Sequence, residues 1–72
     1  MTAPPFTVRE YEVAAMVAAG IRVKRIAAAL EISERRVRVL VSAIAFKIGA
    51  DPDRDERVQV ALWWSARHQL AA

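Results

Sequence analysis

The chain contains no cysteine and a single histidine, His68. That excludes disulfides, a zinc–thiolate site and a cysteine nucleophile, and it leaves no second imidazole for a histidine metal cluster. Glycine occurs only twice, too few for a phosphate-cradling glycine loop. With one histidine and none of these motifs, the residues offer no catalytic constellation; the protein is not expected to be an enzyme or to carry a cofactor. No apolar run approaches the roughly 18 residues of a membrane span. The longest, residues 37–46, is broken by Arg38 and Ser42. No basic start followed by a long apolar stretch marks a signal peptide, so the cytoplasm is the default compartment. Chain length is short as well. Its 72 residues suffice for one domain, whose core supplies only about 3–5 kcal/mol. Lacking covalent or metal staples, such a domain depends on close helix packing or oligomerisation.

What is present is alanine, arginine and aliphatic bulk. Hydrophobic residues make up 56% of the chain, and the net charge is +3 with a pI near 10.2, which permits an anionic partner. The charge is unevenly placed. Residues 22–47 hold seven basic side chains against two acidic ones, while the segment on either side is slightly acidic.

The sequence reads as helices divided by short punctuation. Residues 1–6, with Pro4 and Pro5, form an extended leader, and residues 7–72 the domain. Thr7 and Glu10 have capping-box spacing, and Phe6 and Tyr11 have the spacing of a hydrophobic staple. Val13, Met16 and Val17 continue a helical stripe that Gly20 stops. A second helix is predicted over residues 23–30, with Ile26, Ala27 and Leu30 inward. Lys24 and Arg25 lie at its start, where the helix dipole disfavours cations, so a phosphate contact is the natural reason for them. Ser33 caps a third helix over 34–48, whose core stripe is Val37, Leu40, Val41, Ile44 and Ile48. Gly49 ends it. Asp51, Pro52 and Asp53 make a turn, and Asp53 is expected to cap a fourth helix over 54–70.

The second and third helices are joined by about three residues, 30–32, which forces a sharp corner of the helix-turn-helix kind. In that motif the second helix enters the major groove and reads bases with its first turns. Here those turns carry Arg35, Arg36 and Arg38, and the arginine fork suits guanine or phosphate. On any surface helix such a run could simply be solvated. Its place directly after the corner is what points to DNA.

At these positions the chain resembles the LuxR-type, or GerE-type, DNA-binding domains. The resemblance is carried by Phe6-Thr7-Val8-Arg9-Glu10, Gly20-Ile21, Lys24, Ile26-Ala27, Leu30, Ile32-Ser33, Val37, Val41 and Lys47-Ile48-Gly49. It implies an all-α, four-helix LuxR-type helix-turn-helix domain that binds double-stranded promoter DNA, commonly as a dimer through its fourth helix. Lys24 falls on a phosphate-contacting position, and Glu10 on a glutamate that holds the first helix against the reading unit. The pattern also differs from the family. Leu40 stands where a DNA-contacting histidine is common, Arg36 replaces a small residue, and Arg22 replaces a capping Ser or Thr.

The candidate DNA-binding residues are therefore Lys24, Arg25, Arg35, Arg36, Arg38, Val39, Ser42 and Lys47. Lys24, Arg25, Arg35 and Lys47 are assigned to phosphates, and Arg36 and Arg38 to bases. Val39 and Leu40 are expected to pack, although an apolar side chain can also touch a thymine methyl. Adjacent tryptophans point about 100° apart on a helix. One of Trp63 and Trp64 is thus expected in the core and the other at an interface, and Val58, Ala61, Leu62, Trp63 and Ser65 are the candidate self-pairing surface. The leader resembles no common tag, so the chain is read as a complete small bacterial or phage protein with no small-molecule ligand rather than as an excised fragment given a start codon. The competing reading keeps the fold but makes it a protein-interaction module. In that case Val39, Leu40 and an exposed tryptophan would dock on a transcription factor or an RNA polymerase subunit.

Overall fold

The computed structural model, which describes residues 6–69, has four helices in the order α1 (Val8–Ala18), α2 (Val23–Leu30), α3 (Glu34–Lys47) and α4 (Glu56–Gln69). The leader before Phe6 and Leu70, the expected end of the fourth helix, lie outside the described residues.

Side chains settle where most of these helices begin. At α1 the Thr7 hydroxyl accepts from the Glu10 N–H at 3.1 Å, and Glu10 accepts from the Thr7 N–H at 2.9 Å, so the capping box forms in full. Ser33 accepts from the Arg36 N–H at 2.9 Å and starts α3. The start of α4 differs from the expectation. Asp51 takes the Asp53 N–H on its carboxylate and the Arg54 N–H on its carbonyl, so residues 51–54 close into a turn and cannot begin a helix. The cap is Asp55, which accepts from the Val58 N–H at 3.1 Å. At α2 the N-cap residue, Arg22, makes no side-chain cap bond.

Three helix ends share one closing device. The Gly20 and Ile21 N–H groups return to the Val17 and Met16 carbonyls, and those of Gly49 and Ala50 to Phe46 and Ala45. Those of Glu31 and Ile32 return to Ala28 and Ala27. This is the Schellman pattern, which needs a left-handed residue at its second-last position. Gly20 and Gly49 supply it at α1 and α3; at the corner between α2 and α3 a glutamate, Glu31, does (φ 57°).

α3 is the central element and packs on each of the other three helices. The core joins Val13, Ala14 and Val17 of α1 with Ile26 and Ala27 of α2. To these are added Val37, Leu40, Val41, Ile44 and Ala45 of α3 and Val60 of α4. α4 is clasped to α1 by rings: Phe6 against Trp63 at 5.3 Å and Tyr11 edge-on to Trp64 at 4.7 Å between centroids. Phe6 and Tyr11, spaced as a staple, thus find their ring partners on α4. Trp64 packs against the core and carries His68 stacked on its ring, while Trp63 is covered by Phe6 and by the Arg67 guanidinium.

Candidate nucleic-acid interface

The buried stripe of α3 leaves an opposite face free. Because 3.6 residues complete a turn, Arg35, Val39, Ser42 and Phe46 fall in one outward line, and all four are exposed. Arg36 and Arg38 flank it, also exposed. Arg38 makes a long 3.5 Å ion pair with Glu34 one turn back. Exposed pairs of this kind hold a side chain by about 0.3–0.5 kcal/mol, so Arg38 is free to leave it for a stronger partner. Of the two apolar residues in question here, Leu40 is 5% exposed and belongs to the core, whereas Val39 is 49% exposed. An apolar patch joining both is not available.

Lys24 and Arg25 are exposed in the first turn of α2, beside the uncapped Arg22. Together with α3 and the first turn of α4, Lys24 borders an open groove of about 680 Å³, whereas Arg25 lies outside it. Arg22, Lys24, Arg38 and Arg57 line it with positive charge, and Glu34, Asp55 and Glu56 with negative. Ser42 lies on its wall, and its hydroxyl donates to Glu56 at 2.8 Å.

Lys47 stands apart from the outward line. It is half-buried on the side facing α1, and its ammonium lies 2.6 Å from Glu10 Oε1. Glu10 is the one buried charged residue of the described core. The Lys47 hydrogen bond holds the Glu10 carboxyl below its ordinary pKa, burial pushes it back up, and the Thr7 N–H lowers it again. The pair ties the start of α1 to the end of α3, as the resemblance implied for Glu10.

On α4, Val58, Leu62 and Ser65 form an exposed strip. Ala61 is turned toward the core, and Trp63 faces Phe6.

Three residues near the interface did not stand out in the sequence. Phe46 is 87% exposed, and the spacing 35, 39, 42, 46 was the available signal for it. Arg57 donates from Nη2 to the Ile21 carbonyl at 3.1 Å, bracing the entry to α2, and its buried Nε has no hydrogen-bond partner among the described residues. Glu56 reaches α3 through Ser42. Neither contact leaves a local sequence signature.

Among the described residues no helix is long and apolar enough to cross a membrane, and no group of three or more His, Cys, Asp or Glu could hold a metal ion. The GerE family model, described as bacterial regulatory proteins, luxR family, matches residues 4–63. No curated protein and no solved structure matches the chain. The family match spans α1, the corner, the arginine-bearing α3 and the first half of α4, so both the fold and the exposed cationic face fall within it. GerE-type domains are helix-turn-helix DNA-binding regulators rather than enzymes, and this chain belongs to the luxR family of bacterial regulatory proteins.

Proposed function

We propose that the protein regulates transcription by binding double-stranded DNA sequence-specifically as a homodimer, with α3 in the major groove. The observation that carries this reading is the outward face of α3, where Arg35, Arg36 and Arg38 are exposed next to a corner whose other helix opens with Lys24 and Arg25. Lys24, Arg25 and Arg35 contact phosphates, Arg36 and Arg38 reach base edges, and Val39 and Ser42 complete the reading surface. Lys47 supports this surface from behind through Glu10. The strip of Val58, Leu62 and Ser65, with Ala61 and Trp63 at its margins, serves as the self-pairing surface.

Selection from a pool of random duplexes at physiological salt tests the reading. An enriched inverted repeat with half-sites about one helical turn apart is expected. Arg38→Ala should relax preference at one or two positions, whereas Lys24→Ala should weaken all sequences alike. Binding without enrichment, disappearing as salt rises, would refute sequence-specific regulation. It would favour the second reading, docking on a transcription factor or a polymerase subunit. The exposed Phe46 and Val39 speak for that reading, and the burial of Leu40 removes part of the patch it calls for.

A further inference from the structure

Ser42 sits in the middle of the outward line of α3, and its hydroxyl is committed within the protein. Oγ donates to Glu56 Oε1 at 2.8 Å. The direction is set by chemistry, since an ionised carboxylate only accepts while a hydroxyl has one hydrogen and two lone pairs. With that hydrogen held by Glu56, Ser42 offers only lone pairs to whatever approaches α3. A phosphate oxygen offers only lone pairs too, so the two do not bond. A serine left to itself can turn its hydroxyl either way and reads either kind of base edge. In the major groove the donors are the amines of adenine N6 and cytosine N4, whereas guanine shows N7 and O6 and thymine shows O4 and a methyl group.

We infer that Ser42 and Glu56 together form a specificity device, in which Ser42 reads the exocyclic amine of an adenine or a cytosine at one position of each half-site and Glu56 is the positioning residue. The inference rests on the duplex-DNA reading above. Glu56 is well placed for the task. It is the first residue of α4, directly after the Asp55 cap, and next to it Arg57 is anchored on the Ile21 carbonyl. Its carboxylate borders the same groove as Arg22, Lys24 and Arg38. It thus sets a donor-seeking spot in a face that otherwise seeks acceptors, and acceptor edges such as guanine O6 are repelled there.

The test is selection from random duplexes with the full chain as wild type, Ser42→Ala and Glu56→Ala. Both substituted side chains are outside the core, and unchanged thermal unfolding checks the fold. In the wild type one column of each half-site should favour adenine or cytosine over guanine and thymine by roughly three- to tenfold, the value of one good hydrogen bond. Ser42→Ala and Glu56→Ala should each flatten that same column and leave the others intact. The second variant is the more telling, because it keeps the serine hydroxyl and only frees its hydrogen. A column that survives Glu56→Ala, or a preference there for guanine or thymine, would overturn the inference while leaving the DNA reading standing. A wild-type protein that enriches no sequence would overturn both.

Discussion

Glu31 occupies, between α2 and α3, the left-handed position that Gly20 and Gly49 occupy at the ends of α1 and α3. A side chain in that conformation costs roughly 1–2 kcal/mol, and the greater freedom of glycine in the unfolded chain offsets about 0.4–1 kcal/mol of the relief. Glu31→Gly should therefore stabilise the protein by about 0.5–1 kcal/mol in urea unfolding. A loss of stability would mean that the turn is not strained. Glu10 and Lys47 make a second single-residue argument. The folded pKa of Glu10 is depressed, chiefly by Lys47. Its contribution is thus complete above the ordinary glutamate pKa of about 4.3 and is lost as pH falls through the lower folded value. Lys47→Met strands the carboxylate in its buried place and should cost about 2–3 kcal/mol at neutral pH, below the range for fully buried pairs because Lys47 is partly open to solvent. Without Lys47 the largest lowering influence is gone and the Glu10 pKa rises relative to the wild type, so the gap between variant and wild type should narrow as thermal unfolding is repeated toward pH 3. A gap independent of pH would exclude the ion pair as its cause. The capping role of Glu10 was legible, because Thr7 is three residues away; its partner was not, because Lys47 is 37 residues away.

α4 shows the same division at the level of an element. A helix of 14 residues is marginal on its own in water, and this one is held by Val60 in the core and by two ring contacts to α1 and its leader. Its apolar content was plain in the sequence, which grouped Val58, Leu62 and Ser65 with Ala61 and Trp63 as one self-pairing surface but could not separate the outward residues from those that dock. Docking through Val60, Ala61 and Trp64 turned them out. On the proposed dimer, Leu62→Glu should accordingly leave helicity almost unchanged, make melting independent of protein concentration, and abolish dimerisation in sedimentation equilibrium. An unaltered dimer would move the pairing surface elsewhere. The start of α4 was misjudged by two residues because Asp51, Asp53 and Asp55 are all good caps. Which one acts depends on the turn that Asp51 closes, further tied by Gln59, whose side chain accepts from the Asp51 N–H and donates to its carbonyl.

For the molecule as a whole, charge and symmetry meet in the salt dependence of DNA binding. The acidic flanks and the basic middle segment concentrate positive charge on the helix-turn-helix. If Lys24, Arg25 and Arg35 make the three phosphate contacts per protomer proposed above, log affinity against log salt should have a slope of about −2.7, and about twice that for a dimer, at roughly 0.9 per contact. The Leu62→Glu monomer should show about half the wild-type slope. Equal slopes for the two proteins would contradict binding as a dimer.

The sequence by itself determined what depends on neighbours within a turn or so: the capping box and the serine cap, the glycine stops, the core stripe of α3, the tight corner and the cationic run after it. Those features sufficed for the fold class and the family. Tertiary structure alone decided that Lys47 faces Glu10, that Glu56 holds Ser42, that Arg57 braces Ile21, and that the two tryptophans take their ring partners from residues 6 and 11. The physical reason is range. Helix caps and periodicity are governed by hydrogen bonds three or four residues long, whereas these contacts join residues 14 to 57 positions apart and exist only once the angles between packed helices are set.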